Sequence, residues 1–376
     1  MTITTENKTE INRTSRLQSL DTLRGADMLF IMGGGSLFSS LGHLFPNTLL
    51  ETWGQQMNHV EWNGFAFYDL IFPLFLFIAG ISLPYSVENS FSRGISKQNI
   101  SKKIFKRGAT LIFLGIVYNG LLTFDFENLR IASVLGRIGL AWMVAALLYI
   151  WSSKRIRLVF TLSVLFGYWG ILAFCTAPDN PEASPFSMEG SIVGYIDRML
   201  LPGKPYLGIH DPEGILSTLP AIVTALLGMF CGQFVKSSQT NGHMKTLIML
   251  GIGISLWCIG WGWDMILPVN KNLWTSSFVC VAGGLSIVLF AIFYWIIDVM
   301  KYRKWTFFFR VIGMNSITIY MAQQFLDFYK PVKTIFGGVL GFVPEQWYAI
   351  GYWSAYIMVC WGFLYFLYKK KIFLKV

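Results

Sequence analysis

Three residues that can take part in acid–base chemistry lie close together in the stretch HVEWNGFAFYD (59–69). They are His59, Asn63 and Asp69, and a long apolar segment begins among them. Histidine titrates near neutral pH and can act as a base or a nucleophile, and a nearby carboxylate can fix its tautomer. The pattern predicts His59 as base or nucleophile and Asp69 as its orienting partner, and Asn63 could donate to an oxyanion or bind a substrate hydroxyl. The alternative is a histidine that lies solvated in a loop.

The composition indicates that helices in a membrane position these residues. Hydrophobic residues make up 54% of the chain and charged residues only 13%, whereas about a quarter of the residues in soluble domains are charged. Apolar runs of about 20 residues recur, and each is long enough to cross a bilayer core of about 30 Å. We therefore expect an all-α polytopic membrane protein, with residues 1–376 forming a single domain. Ten spans are predicted, at residues 18–41, 64–87, 105–124, 131–151, 156–176, 214–236, 245–267, 275–299, 305–327 and 347–368, with a re-entrant or interfacial segment at 330–343.

Basic residues indicate the orientation of these spans. If the chain begins inside, the inner segments hold 23 of the 30 Lys and Arg residues and the outer segments hold six, with Arg137 inside a span. This bias predicts that both termini are cytoplasmic, including a polar tail at 1–15. The outer side then contains an extracytoplasmic loop at 177–213. A bacterial cytoplasmic membrane is the expected location.

Several classes of partner are not expected. The basic residues are scattered over six short segments, which does not favour nucleic-acid binding. No GxGxxG or GxxxxGK loop occurs, so neither nucleotide-binding motif is supported. The five cysteines form no CxxC or Cys/His cluster, so free thiols and no metal site are expected. The lipid bilayer surrounds the chain, and a second copy of the chain is a further candidate partner.

The outer segments carry most of the remaining polar residues that suggest a binding site. Acidic residues at the start of a span can instead cap the helix, and an asparagine inside a span can hydrogen-bond a neighbouring helix. Those alternatives stay open. The candidate substrate-binding residues are Glu61, Trp62, His210, Asp211, Glu213, Asn270, Lys271, Asn272 and Asn315.

Two opposite charges are predicted at a similar depth in the membrane. Asp69 and Arg137 lie about 8 Å and about 9 Å in from the outer ends of their spans, at 1.5 Å per residue. Ionisable groups at such depth usually face the bundle interior or a wet cavity. We therefore expect Asp69 and Arg137 to pair or to share a polar site. The alternatives are an ion pair that fixes helix register and a pair that lines a cavity below His59.

The inner ends of the spans offer a candidate phosphate site. Arg24 lies near Lys103 and Arg107 in the expected topology, and arginine favours phosphate through paired hydrogen bonds. The alternative is a local ion pair of Arg24 with Asp21 or Asp27, at three-residue spacing.

Six stretches, in order along nearly the whole chain, resemble one family closely: the heparan-α-glucosaminide N-acetyltransferases and their bacterial relatives. The stretches are RLQSLDTLRG (16–25), HVEWNGFAFYDLIFPLFLFIAGISL (59–83), SVLGRIGLAW (133–142), DPEGILSTLPAI (211–222), NKNLWTSSFV (270–279) and GMNSITIY (313–320).

The resemblance implies an acetyltransferase. Acetyl would pass from cytosolic acetyl-CoA to the amine of a glucosamine-type sugar or glycan end outside, with His59 at the position of the family's active histidine. Arg24, Lys103, Arg107 and Arg137 are then the candidate acetyl-CoA-binding residues.

Two features depart from the family's pattern. The family's lysosomal member has an asparagine in the first span where this chain has a GGG run (33–35), so a role for that asparagine is not carried over. The spacer between GGG and His59 is also longer here. The substrate specificity therefore does not follow from the resemblance.

A multi-span transporter of sugars or amino sugars is the rival hypothesis, because broken helices with buried charges are typical of such carriers. A flippase-like or scaffold component of envelope assembly is a third. No repeat relates the two halves of the sequence, which weakens the transporter hypothesis.

Overall fold

A computed structural model describes residues 17–374, and the predicted tail at 1–15 lies outside the described residues. Within that part, the chain forms helices and loops, together with two isolated β-bridges. The all-α prediction is confirmed. The α-helices of this part are α1 Gln18–Leu29, α2 Gly35–Leu44, α3 Leu49–Gln55, α4 Phe67–Ser92, α5 Lys97–Tyr118, α6 Val134–Trp151, α7 Lys154–Phe174, α8 Ile192–Leu200, α9 Thr218–Lys236, α10 Gly242–Asp264, α11 Ser276–Tyr294, α12 Thr306–Met314, α13 Ser316–Phe325, α14 Tyr329–Leu340 and α15 Glu345–Lys369.

Among the described residues, seven helices are long and apolar enough to cross a membrane, which makes the chain a multi-pass membrane protein. They agree with seven of the ten predicted spans to within a few residues. These helices are α4, α6, α7, α9, α10, α11 with its π-helical extension to Val299, and α15.

The other three predicted spans correspond to broken or charged helices. A π-helical turn at Phe30–Gly34 joins α1 to α2, and inside it Gly33 adopts φ +116°, a conformation that glycine tolerates. Asn315 separates α12 from α13. The helix α5 begins eight residues before the predicted 105–124 span, within a basic stretch. A count of ten spans and cytoplasmic termini stay predictions.

The segment predicted as re-entrant or interfacial forms the helix α14. It contains 12 residues, so it is about 18 Å long and too short for a bilayer core of about 30 Å. Apolar side chains such as Ile335 and Val339 are largely exposed on it.

The helix α4 lies at the centre of the bundle, and small residues let α9 pack directly on it. A side chain at Gly80 would place its Cβ 2.1 Å from the Ala225 carbonyl oxygen, and one at Gly228 would place it 2.0 Å from that of Phe77. The two backbones therefore touch. This contact fixes the position of α4, whose first turn carries Asp69.

Candidate active site

His59 and Asp69 form a hydrogen-bonded pair at the start of α4. The Asp69 carboxylate accepts the Ala66 N–H at 3.0 Å and so caps the helix, while its other oxygen accepts Nδ1–H of His59 at 2.7 Å. The Asp69 side chain is only 1% exposed, whereas that of His59 is 50% exposed. With Nδ1 donating to Asp69, the neutral ring keeps Nε2 as an acceptor. The predicted partnership of these two residues is present.

Lys271 completes a three-residue cluster with this pair. Its Nζ lies 3.2 Å from Nε2 and 3.0 Å from Nδ1 of His59, and 3.4 Å from Oδ1 of Asp69. Burial lowers the pKa of Lys271 below its usual value, although attraction to Asp69 and Glu213 acts in the opposite direction. The predicted role of Lys271 was substrate binding, but the structure places its ammonium against the histidine itself.

A cavity of about 410 Å³ opens beside this cluster, and we call it the outer cavity because the predicted topology places it towards the outer side. Six of its lining residues were candidates from the sequence: His59, Glu61, Asp69, Glu213, Lys271 and Asn272. Four further polar lining residues were missed: Tyr68, Arg130, Tyr206 and Tyr320. Apolar side chains of α4 and α6, among them Phe72 and Val134, form much of the remaining wall.

Arg130 organises the acidic side of the outer cavity. Its guanidinium donates two hydrogen bonds to Asp211, at 2.6 and 2.7 Å, and another to Glu213, and it lies 4.6 Å from the ring centre of Tyr206. Burial opposes ionisation of Asp211, but its bonds with Arg130 outweigh burial, so its pKa lies below the usual value. Asp211 is buried and fixes the loop, while Glu213 reaches the cavity. The SVLGR stretch follows Arg130 closely, and that proximity was the available signal.

The predicted pair of Asp69 and Arg137 is wrong. Arg137 donates instead to the Gly214 carbonyl at 3.3 Å and to the Ser217 hydroxyl, and its guanidinium lies 5.0 Å from the Trp274 ring centre. Depth along the helix matches, but α6 turns this side chain towards the start of α9. Arg137 therefore lines neither the outer cavity nor the inner one described below.

Asn63 and Asn270 hold the loops rather than line the cavity. The Asn270 amide donates to Oδ1 of Asn63 at 3.0 Å, and the Gly64 N–H donates to the Val269 carbonyl at 2.7 Å. Asn270 is fully buried. These bonds align the His59 loop with the Lys271 loop, and the catalytic role of Asn63 stays a prediction.

Trp62 and His210 also lie behind the cavity wall. The Trp62 indole N–H donates to the Phe186 carbonyl at 2.7 Å, and its ring packs edge-on against that of His210. His210 is fully buried, its Nε2 lies 3.0 Å from the Asn272 carbonyl, and burial lowers its pKa to about 4. Both were predicted to bind substrate, but packing explains their positions.

An inner cavity of about 350 Å³ lies among α1, α4, α5, α6 and α13. Arg24 and Arg107 line it, and the Arg107 guanidinium lies 4.2 Å from the Trp142 ring centre. Asn315, a candidate substrate-binding residue, lines this cavity too, beside the candidate acetyl-CoA-binding residues Arg24 and Arg107. Lys103 lies on α5 one turn before Arg107, is exposed, and is not among the lining residues.

Two buried donors of the inner cavity lack partners among the described residues. They are Nε of Arg107 and Nδ2 of Asn315. Buried polar groups are normally hydrogen-bonded, so an unpaired donor beside a cavity suggests a bound acceptor. An anionic, acceptor-rich group such as a phosphate fits this set of donors.

The two cavities follow one another along the same helices. On each of three helices, a residue of the outer cavity lies one helical turn from a residue of the inner cavity. The pairs, with the outer residue first, are Phe72 and Phe75 of α4, Val134 and Ile138 of α6, and Tyr320 and Ile317 of α13. The rings of Tyr118 and Tyr320 stack 4.6 Å apart at this level. An extended ligand held in the inner cavity has only about one helical turn, near 5 Å, to cross before it reaches the outer one.

Comparison with known proteins matches most of the chain. The family model for "Heparan-alpha-glucosaminide N-acetyltransferase, catalytic" matches residues 16–261. The human heparan-alpha-glucosaminide N-acetyltransferase is 28% identical, over 96% of this chain and 60% of its own length. The mouse protein of that name is 27% identical, over 98% of this chain and 62% of its own length. The chain therefore spans about 60% of the length of these relatives. It belongs to the heparan-alpha-glucosaminide N-acetyltransferase family.

Proposed function

We propose that this chain is a transmembrane acetyltransferase that moves acetyl from cytosolic acetyl-CoA to the amine of a glucosamine-type sugar on the extracytoplasmic side. The carrying observation is the His59–Asp69 pair at a cavity that lies end to end with a second, arginine-lined cavity. Family membership supports the reaction class. The distribution of Lys and Arg supports the sidedness and a bacterial cytoplasmic membrane.

Acetyl-CoA binds as a substrate from the inner side. Its phosphates lie near Arg24 and Arg107, where two buried donors lack acceptors. Its pantetheine arm follows α4, α6 and α13 past Tyr320, and the thioester reaches the outer cavity. In this arrangement CoA never crosses the membrane, and only the acetyl group changes sides.

The acceptor amine binds beside His59. Glu61 and Glu213 place carboxylates on the outer cavity, and carboxylates attract the ammonium form of an amino sugar. Nε2 of His59 takes a proton from the attacking amine, and the buried Asp69 carboxylate stabilises the resulting imidazolium.

The bonds change as follows. The bound ammonium first loses one proton to water, and the neutral amine nitrogen then attacks the thioester carbonyl carbon, so that a C–N bond forms and the C–S bond breaks. Nε2 of His59 accepts the amine proton and then returns it to the departing CoA sulfur. The Lys271 ammonium lies next to this nitrogen and donates a hydrogen bond to the oxyanion of the tetrahedral intermediate. In the relay version, His59 first accepts the acetyl group itself and then passes it to the amine.

The transporter hypothesis is not favoured by the family match. It also assigns no role to a histidine whose tautomer is fixed by a buried carboxylate.

Detergent-purified protein incubated with ¹³C-acetyl-CoA and glucosamine tests the proposal. Labelled N-acetylglucosamine, followed by mass spectrometry, should form with the wild type and not with His59→Ala. Acid-quenched samples of the wild type without acceptor distinguish the two versions, because only the relay leaves a labelled acetyl group on the protein. Release of unmodified sugar from loaded vesicles, with no acetylated product, would contradict the proposal.

A further inference from the structure

A polar groove meets His59 on the side away from the inner cavity. His59 lines the outer cavity and also a separate cavity of about 380 Å³ between α2 and α15. Ser36, Ser39 and Ser40 of α2 line this second cavity, together with Asn58 and the indole of Trp353. The imidazole is thus accessible from two cavities. In the proposed function, the acetyl donor reaches it through the outer cavity.

The groove continues along the hairpin of α2 and α3. A smaller cavity of about 170 Å³ shares Ser39 and Asn58 with the first and extends to His43, Glu51 and Gln55. We call the two together the hairpin groove, from Ser36 to His43. It runs for about 10 Å at 1.5 Å per residue, so it is longer than the space that one amine-bearing sugar ring needs at His59.

The hairpin is a firmly packed part of the site. A side chain on Gly42 would place its Cβ 2.9 Å from the Cα of Gly54, so α2 and α3 touch through these glycines. The carbonyl of Gln56 accepts the Tyr68 N–H at 3.0 Å, and its side-chain oxygen accepts the Phe67 N–H at 2.9 Å. The first turn of α4, which carries Asp69, is therefore tied to the end of the hairpin.

The chemistry of the lining selects a class of ligand. Hydroxyl, amide and carboxylate groups beside an indole suit a ligand with many hydroxyls, such as a carbohydrate. None of the residues that line the hairpin groove is Lys or Arg, and Glu51 adds a carboxylate. A sulfated, polyanionic glycan would find no Lys or Arg side chain here, whereas a neutral or amine-bearing glycan would find hydroxyl, amide and carboxylate partners.

We infer that the hairpin groove binds the acceptor beyond its terminal sugar, and that the acceptor is the end of an uncharged or amine-bearing oligosaccharide. This inference rests on the proposed function, because it takes the amine at His59 as the reacting group. The hairpin lies in the spacer between the glycine run and His59.

Steady-state kinetics on three acceptors test the inference: glucosamine, a β-1,4-linked glucosamine tetrasaccharide, and a sulfated heparan tetrasaccharide with a terminal glucosamine. The wild type should use the glucosamine tetrasaccharide with the highest kcat/KM. Ser39→Trp fills the groove where its two parts join, and Gln55→Ala removes an amide from its far end. Each should reduce kcat/KM for the tetrasaccharide about tenfold more than for glucosamine, as expected for one or two lost hydrogen bonds. Thr52→Trp, on an exposed α3 position that lines neither cavity, is the matched control.

Binding of the unreacted tetrasaccharide to His59→Ala, measured by calorimetry, tests the groove without the chemistry. Binding that Ser39→Trp weakens supports the groove even if no acetyl transfer is detected, in which case only the proposed function fails. Two results would overturn the inference and leave the proposed function intact. One is acetyl transfer in which Ser39→Trp lowers kcat/KM equally for glucosamine and for the tetrasaccharide. The other is a higher kcat/KM for the sulfated acceptor.

Discussion

Nδ1 of His59 lies 2.7 Å from Oδ1 of Asp69, and the carboxylate is buried while the imidazole is half exposed. The carboxylate is further held by the Ala66 N–H, so it cannot turn away from the ring without leaving the first turn of α4 uncapped. The imidazole consequently presents its other nitrogen to a cavity. The local geometry is that of an oriented base.

Exchanging Asp69 for Asn should disable this base. An amide that turns its NH₂ towards Nδ1 favours the wrong tautomer and cannot stabilise an imidazolium. We expect Asp69→Asn to lower kcat by about 10²- to 10⁴-fold. Turnover of labelled acetyl-CoA measures the effect, with circular dichroism as the control for folding. A rate within about threefold of the wild type would contradict the assignment.

Lys271 should supply the donor that stabilises the oxyanion beside His59. Lys271→Met removes the ammonium that lies 3.2 Å from Nε2 of His59 and should lower kcat by about 10²- to 10³-fold. Lys271→Arg keeps a positive charge and N–H donors, so part of the rate should return. Turnover of labelled acetyl-CoA compares the variants, and an unchanged kcat in Lys271→Met would contradict this role.

Donor binding should depend on the inner cavity and not on the basic surface in general. Arg107→Ala removes a cavity-lining guanidinium and should weaken acetyl-CoA binding by about tenfold or more, as expected for a lost ionic hydrogen bond. Lys103→Ala, one turn away on the same helix but exposed, should change affinity by less than about twofold. Isothermal titration with CoA compares the two. If Arg107→Ala and Lys103→Ala lost the same affinity for CoA, the CoA phosphates would bind outside the inner cavity.

The long loop at 177–213, which includes α8, should show opposed pH dependences. Burial raises the pKa of Asp197 to about 7, despite its bond from the Ile215 N–H, so this group stabilises the loop at low pH and loses that contribution as pH rises towards 7. Burial lowers the pKa of His210 to about 4, so its contribution is gained as pH rises from 4 to 6.5. The two effects oppose each other in that window. Asp197→Asn leaves only the histidine effect.

Amide hydrogen exchange over residues 192–217 measures this balance. We compare the protection of these amides from exchange, corrected for intrinsic exchange rates. Between about pH 4 and pH 6.5 it should increase more steeply in the Asp197→Asn variant than in the wild type. Identical slopes for both proteins would show that Asp197 is ionised in the folded loop.

Backbone contact between α4 and α9 should be needed for stability. Gly80→Val would place a side chain 2.1 Å from the Ala225 carbonyl oxygen, and such overpacking costs about 1–3 kcal/mol. Gly167→Val on α7, where nothing lies within 4 Å, is the matched control for helix propensity. Thermal unfolding in detergent compares them. Equal melting temperatures for Gly80→Val and Gly167→Val would mean that α9 can shift away from α4 at little cost in stability.

Local spacing made part of the site predictable. Asp69 follows His59 by ten residues, across a short loop into a helix, so a contact between them was a reasonable expectation. Lys271 lies 212 positions from His59, and no pattern in the sequence brings its ammonium onto the imidazole. That contact depends on the bond between Asn63 and Asn270.

Depth along a helix was predictable, but direction around it was not. Asp69 and Arg137 match in depth, yet α6 turns Arg137 towards Ser217. Asn315 was a candidate substrate-binding residue, yet the break between α12 and α13 places it on the inner cavity beside Arg24 and Arg107. Hydropathy found the seven long helices because burial in lipid needs about 20 apolar residues. It says nothing about which face of each helix lines a cavity.

Proteoliposomes with ¹³C-acetyl-CoA sealed on the side of the chain termini, and glucosamine on the other side, test the central claim most directly. We predict labelled N-acetylglucosamine on the acceptor side with the wild type and none with His59→Ala, while CoA stays where it was sealed. Comparable product from His59→Ala, or product only when both substrates share one side, would contradict transfer of acetyl across the membrane through His59.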